Sequence, residues 1–175
     1  MTSVVLSIGS NLGDRSAYLQ SVLDGLGGTA ITVSPVYQTA AWGGVEQDDF
    51  LNAVVLAEDS ARDPHDWLRL AHEMEDAADR VREQRWGPRT LDVDLVTVRD
   101  GDDGGDLTLE DDVLTLPHPF AHERAFVLAP WAAVEPRATL AVAGRPHRVE
   151  TLLAALDPAE RAGVRLTEHR LQVRR

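Results

Sequence analysis

Between residues 3 and 98 the hydrophobic period changes in the order strand, helix, strand, strand, helix, strand, and that order leaves few architectures open. Residues 3–9, SVVLSIG, read as a strand ending at Gly9-Ser10-Asn11. Asp14 is placed to cap a helix whose Leu19, Val22, Leu23 and Leu26 recur at i, i+3, i+4 and i+7, and Gly27-Gly28 ends it. Residues 30–38 alternate as a second strand, in which Pro35 marks an edge or a bulge. After a glycine-containing loop at 40–49, residues 50–57 form a third strand with Phe50, Asn52, Val54 and Leu56 on one face. Asp63-Pro64 opens the longest helix, striped by Trp67, Leu70, Ala71, Met74, Ala78 and Val81. It runs into a cluster of arginines and stops at Gly87-Pro88. Residues 90–98, TLDVDLVTV, are a fourth strand. The order predicts an α+β, ferredoxin-like βαββαβ sandwich, with one antiparallel sheet and helices packed on one face. Residues 99–112 read as an acidic loop, 114–117 as a short strand or turn, and about 122–134 as a helix. Two short elements and a basic tail at about 168–175 complete the chain, and the whole of 1–175 reads as a single domain.

The chain has no cysteine and no lysine, since all 17 basic residues are arginine. Thiolate nucleophiles, Cys-ligated metals, a phosphate-binding lysine and Schiff-base chemistry are therefore excluded. A net charge of −12 disfavours a nucleic-acid partner, and no RNA-binding strand motif of the K/R-G-F/Y type is present. No apolar run approaches the ~20 residues that cross a bilayer, so no membrane partner and a cytoplasmic location are expected, and a monomer with them. Against this acidic background Arg80, Arg82, Arg85 and Arg89 fall close together.

The fourth strand carries the strongest chemical signal. Asp92 and Asp94 point to one face, with Cα atoms roughly 6.6–6.8 Å apart at a rise of about 3.3 Å per residue. Val96 and Val98 are expected to continue that face. Carboxylates begin an otherwise apolar face at a cost unless something neutralises them. A solvated strand face is the bland alternative. Two magnesium ions about 3.5–4 Å apart fit between such carboxylates and a triphosphate. The arginines can clamp phosphate bidentately, or pair with Glu75, Asp76, Asp79 and Glu83 on the helix surface. Phe50 and Asn52 share a face, as a stacking and a hydrogen-bonding contact to one ligand require. Asp-x-Asp with a metal also serves nucleotidyl- and glycosyltransferases, but Gly9-Ser10 lies too far from the aspartates for the common nucleotidyltransferase pattern. His118 and His122 have a spacing open to zinc. The loop from Asp100 is a near miss for a calcium-binding EF-hand, with Gly104 at its fifth position.

The segment Arg85-Trp86-Gly87-Pro88-Arg89-Thr90-Leu91-Asp92-Val93-Asp94-Leu95-Val96 resembles the signature of the hydroxymethyldihydropterin pyrophosphokinases. Gly9-Ser10-Asn11, Tyr37-x-Thr39, Phe50-Leu51-Asn52-Ala53, Glu75, Leu116-Pro117-His118, Arg124 and Phe126 agree in order and spacing, so the resemblance runs from residue 4 to about 155. It implies transfer of pyrophosphate from ATP to 6-hydroxymethyl-7,8-dihydropterin with release of AMP, a step of folate synthesis. It further implies that Asp92 and Asp94 hold two Mg2+ ions, and that Arg80, Arg82 and Arg89 act on the phosphates. Phe50 and Phe126 would sandwich the pterin, Asn52 would bond its edge, and groups near Thr39, Ala40 and Trp42 would complete the pocket. Glu75, Arg85, Trp86, Leu95, Thr115, His118 and Arg124 would belong to the ATP site. The chain departs from the family pattern in a shortened stretch between Arg82 and Arg85, in Glu83, in Val113 and in Ala40-Ala41.

Overall fold

A computed structural model describes residues 1–40, 48–78, 90–101 and 104–174 of the chain. The first strand, β1 (Thr2–Ser10), lies between β4 (Phe50–Asp59) and β5 (Asp92–Asp100), antiparallel to both. β2 (Ala30–Val33) and β3 (Tyr37–Thr39) both pair with β4, antiparallel, along different parts of its length. The single second strand expected from residues 30–38 is thus two short ones, because Pro35 has no N–H to continue the ladder. Ser34 bridges the break. Its N–H donates to the Val54 carbonyl at 2.9 Å, and its hydroxyl accepts from the Val54 N–H at 2.9 Å.

Helices cover both faces of the sheet, rather than the one face expected. On one side α1 (Arg15–Leu26) and α2 (Pro64–Ala77) pack against Val4, Leu6, Ile8, Leu51, Ala53, Val55, Val93 and Leu95. On the other α3 (Ala125–Val134) packs its Val127, Leu128 and Trp131 against Val5, Val54 and Val96. The physical reason is visible in the residues. Val4-Val5-Leu6 and Ala53-Val54-Val55 present apolar side chains to both sides of the pleat, and α3, AFVLAPWAAV, is apolar all round.

Capping obeys the sequence closely. The Asp14 carboxylate accepts from the Ala17 N–H at 3.1 Å, and Gly27 ends α1 at φ 55°, a conformation that favours glycine. Asp63 and Asp66 form a reciprocal capping box at the start of α2, with Pro64 at the first helical position. α2 closes at Ala77, earlier than the stripe through Val81 implies, and the Ala78 cap turns its N–H back on the carbonyls of the last helical turn. Val81 and the expected stop at Gly87-Pro88 lie outside the described residues.

β5 and the acidic stretch after it also differ from expectation. The β1–β5 register shifts between Val5 and Leu6, so the pleat changes phase at Val96-Thr97. Val96 stays on the face of Asp92 and Asp94, whereas Val98 joins the opposite core. From Gly104 on, the acidic stretch is built into the fold rather than being a loop throughout. Asp106 bridges to Arg99, and β6 (Leu109–Glu110) pairs with β7 (Thr115–Leu116). Its turn is tied down by the Asp111 carboxylate, which accepts from the Val113 and Leu114 N–H groups and meets His65 at 2.7 Å. A 3-10 turn at Ala121–Glu123 precedes α3, so that helix begins later than about 122. Then come β8 (Thr139–Val142), β9 (Arg145–Arg148), α4 (Val149–Ala155), α5 (Pro158–Ala162) and β10 (Arg165–Leu166), which pairs with β3. Among the described residues no helix is long and apolar enough to cross a membrane.

Candidate active site

Cross-strand register places the functional candidates in rows. Asn52 on β4 is opposite Gly9 on β1, and Gly9 is opposite Asp92 on β5. The next row toward the core is Val54, Ser7 and Asp94. Residues directly opposite across neighbouring strands share a face. Phe50, Asn52, Asp92 and Asp94 therefore lie on the α3 side of the sheet, at the end of β1 that leads to Ser10. Phe126, half-buried in the first turn of α3, packs against the core on that same side.

Gly9 is the centre of this arrangement. A Cβ there would stand 2.9 Å from Asn52 Oδ1 and 3.5 Å from Phe50 Cδ1. Glycine at this point keeps the sheet surface bare between Asn52 and Asp92, so a flat ligand and a phosphate chain can lie against adjoining parts of one surface. The position belonged to the family landmark Gly9-Ser10-Asn11, but its role was not read from the sequence. Glycine inside a strand is the signal that could have found it.

Asn52 is held in place before any ligand arrives. Its side chain is 4% exposed, and its amide donates to the Thr39 hydroxyl at 2.7 Å across the β3–β4 pair. Ala40 comes after Thr39, at the surface. The chain that re-enters at Asp48 is tied to the neighbouring elements. Asn11 Nδ2 donates to the Asp48 carbonyl at 3.0 Å, and Arg15 donates to the Asp49 carbonyl at 2.8 Å. Sequence reasoning gave neither Asn11 nor Arg15 a task. Trp42, Arg80, Arg82, Arg85, Trp86 and Arg89 lie outside the described residues.

On the opposite flank β5 is the last strand of the sheet. Glu75, expected at the ATP site, sits beneath that strand at 2% exposure, and its carboxylate accepts from the Val93 N–H at 3.1 Å. The structure thus gives it the position of a support for the strand that carries Asp92 and Asp94. Leu95, expected to line the same site, would meet a ligand through its main chain. Its side chain is buried in the α1–α2 core, because it alternates with Asp94 along the pleat. What Leu95 offers a ligand is backbone, which by antiparallel alternation turns away from β1, to the same side as that of Val93. The Thr115 side chain is exposed beside β5, and the His118 N–H donates to the Val96 carbonyl at 2.8 Å.

His118 is electrostatically distinctive. Burial and, secondarily, the nearby Arg124 guanidinium push its imidazole down to about 4 from the usual 6.5. Its Nδ1 accepts from the Phe120 N–H at 3.1 Å, which requires that nitrogen to be unprotonated. The neutral ring therefore presents Nε2–H as a donor. Arg124 lies 5.7 Å from the Phe120 ring centroid and 5.5 Å from that of Phe126, so one guanidinium touches both aromatic rings.

A cavity of about 500 Å3 lies at the far end of the same sheet, lined by Met1, Ser3, Glu58 and Arg99 among others. Arg99 is engaged there by Asp106, Glu135 and the Thr139 carbonyl, and none of the described candidate residues lines it.

The family model for 7,8-dihydro-6-hydroxymethylpterin-pyrophosphokinase (HPPK) matches residues 5–136. The chain belongs to this family. A 2-amino-4-hydroxy-6-hydroxymethyldihydropteridine pyrophosphokinase of Mycobacterium tuberculosis is 57% identical over 169 residues, covering 95% of this chain and 90% of the relative. The pyrophosphokinase of Mycobacterium leprae is 56% identical over 179 residues, covering 100% of this chain and 94% of the relative. Among solved structures, wild-type Plasmodium falciparum HPPK-DHPS with SDX-DHP superposes with a TM-score of 0.60 at 14% identity. That match covers 87% of this chain and 44% of the other, and it is a likeness of fold. It agrees with an α+β pyrophosphokinase fold of mixed helices on an antiparallel sheet.

Proposed function

We propose that this chain transfers pyrophosphate from ATP to the hydroxymethyl group of 6-hydroxymethyl-7,8-dihydropterin, releasing AMP, as a step of folate biosynthesis. The observation that carries the reading is the same-face row Asn52–Gly9–Asp92, which joins a site for a flat polar ring to a site for charged phosphates. In the reaction the pterin hydroxyl oxygen bonds to the β-phosphorus, the bond from that phosphorus to the α,β-bridging oxygen breaks, and the hydroxyl proton is lost. AMP leaves.

The chain's own groups divide the work. Phe50 and Phe126 stack on the pterin, and Asn52, locked by Thr39, bonds its edge. Groups at Thr39, Ala40 and Trp42 complete that pocket. Neutral His118 donates through Nε2–H in the ATP site, with Thr115, Arg124 and the Leu95 backbone beside it. Arg80, Arg82, Arg85, Trp86 and Arg89 come from the segment that leads into β5, and the arginines neutralise the phosphate charge, which is the chief need of such a transfer. Glu75 acts through β5 by fixing the strand beneath the aspartates.

Asp92 and Asp94 fit magnesium. They are two half-buried carboxylates on one face, and magnesium completes such a shell with water and phosphate oxygens. Two bound Mg2+ ions would supply charge neutralisation on the triphosphate and polarisation of the reacting oxygens. The β5-β1-β4-β3 order, antiparallel throughout, supports a ferredoxin-like βαββαβ reading of residues 2–100. The acidic composition fits a cytoplasmic monomer that acts as a single domain and binds neither nucleic acid nor membrane.

Asp92→Asn and Asp94→Asn test the site. Each is expected to lower turnover at saturating magnesium by at least about a hundredfold, the scale of losing one preorganised electrostatic contact in a transition state. Calorimetric titration of the ATP analogue with and without magnesium should show that the metal-dependent gain in affinity shrinks in both variants. Turnover within tenfold of wild type in either variant would remove the aspartates from the mechanism.

A further inference from the structure

The family match ends at residue 136, yet residues 165–173 are built onto the substrate side of the sheet and its flanking helix. β10 lies antiparallel to β3, with Arg165 opposite Gln38 and Leu166 opposite Tyr37. Tyr37 is in turn opposite Asn52. A single row therefore runs Leu166, Tyr37, Asn52, Gly9, Asp92 across five strands. Just beyond β10 both donors of Thr167 converge on one acceptor. Its N–H at 3.0 Å and its hydroxyl at 2.8 Å bond the Val36 carbonyl. The far end of the segment is anchored on α1. Gln172 and Gln20 exchange two hydrogen bonds of 2.9 and 2.8 Å, and Leu171 and Val173 pack on the core.

β3 needs such a partner. It has three residues, Pro35 cuts it from β2, and it supplies Thr39 to hold Asn52. Without β10 it would be an edge strand of minimal length. The clamp adds little to the core, since both residues of β10 are exposed and none from this segment is among the fully buried side chains. Its effect is therefore local to β3 and its neighbours.

We propose that the C-terminal segment 163–174 is a positioning strap for the pterin half of the active site, with Thr167 its key positioning residue; this rests on the proposed function. The strap holds β3 so that Thr39 fixes Asn52 and the backbone at Ala40 is presented to the pterin. The ATP half, built on β5 and the turn at His118, lies on the other side of β1 and is independent of it.

The test uses the full chain carrying Thr167→Pro, which removes both donors, and Thr167→Val, which removes only the hydroxyl. The Kd of 6-hydroxymethyl-7,8-dihydropterin is measured with magnesium and α,β-methylene-ATP present, alongside the Kd of the nucleotide analogue alone. Steady-state KM and kcat are measured for both substrates. Thr167→Pro should weaken pterin binding by about fivefold or more, on the scale of a lost hydrogen bond, and Thr167→Val by less. Nucleotide Kd and kcat should stay within about twofold of wild type. Arg165→Ala serves as a control. Its side chain is 67% exposed and its guanidinium is 3.7 Å from Asp49, a pair that contributes little, so pterin affinity should hold. Unchanged pterin affinity in Thr167→Pro, or equal losses for pterin and nucleotide, overturns the strap. If Thr167→Pro does not fold, Thr167→Val decides by the same split, and an unchanged pterin Kd there overturns it too. Wild-type turnover to AMP tests the proposed function separately, because the strap is judged only on variant-to-wild-type ratios.

Discussion

Gly9→Ala probes the junction between the two half-sites with a single methyl group. Gly9 has no positive φ, so alanine meets no backbone penalty, and it stiffens the unfolded chain by about 0.4–1 kcal/mol in favour of folding. Against this stands the 2.9 Å approach to Asn52 Oδ1, closer than a Cβ tolerates, with Phe50 Cδ1 behind it at 3.5 Å. Overpacking of this kind costs about 1–3 kcal/mol. The two effects leave a net destabilisation of roughly 0–2.5 kcal/mol, and a domain of this size loses about 2–4 °C in melting temperature for each kcal/mol. The larger effect falls on binding. Asn52 can yield only by swinging its amide away from Gly9, which disturbs the 2.7 Å bond to Thr39 and turns its polar edge off the pterin. Losing one such contact weakens pterin binding by about fivefold, and the added methyl on the floor of the pocket increases the loss. Titration of pterin in the presence of α,β-methylene-ATP measures this, with a thermal melt beside it. Nucleotide affinity should be unchanged, because Asp92 and the rest of β5 lie on the other side of β1. Pterin affinity within twofold of wild type would refute the reasoning, since Asn52 would then have neither moved nor mattered.

The same geometry sets further outcomes. His118 should titrate near 4 rather than 6.5 when its imidazole is tracked by NMR, and a bound triphosphate should raise that value; a free-protein midpoint near 6.5 contradicts the buried neutral ring. Because that folded value is depressed, its stabilising effect is complete above about pH 6.5 and is lost as pH falls toward 4, so the melting temperature of His118→Asn should depend less on pH across that window. Glu75→Ala strands the Val93 N–H and should cost about 1–3 kcal/mol, several degrees of melting temperature, and an unchanged melt would argue for direct nucleotide contact instead. Arg89→Ala should slow single-turnover chemistry more than it weakens nucleotide binding, by roughly two orders of magnitude, and equal single-turnover rates contradict a transition-state role.

Much of the site was legible because local rules governed it. The Asp92–Asp94 pair comes from the strand period, and both main helix starts come from Asp14 and from Asp63-Pro64. The features that escaped the sequence depended on partners distant along the chain. The bulge at Val96-Thr97 is a property of pairing with β1, and no residue in β5 announces it. The bond from the Val93 N–H to Glu75 becomes visible only when α2 docks on β5. Coverage of both faces could have been read from the doubly apolar run in β1 and the apolar α3, but the βαββαβ order drew attention to one face. The tail HRLQVRR read as basic, while its Leu171 and Val173 are the residues that dock.

The central claim is that this site moves pyrophosphate, as a unit, to the pterin hydroxyl. Phosphorus NMR of the wild-type reaction with ATP, magnesium and 6-hydroxymethyl-7,8-dihydropterin tests it most directly. The account predicts the resonance of AMP together with a pair of coupled signals from a pyrophosphate ester on the pterin, formed in equal amounts. Formation of ADP with a single phosphate on the pterin, or of free pyrophosphate with a nucleotidylated product, would contradict it.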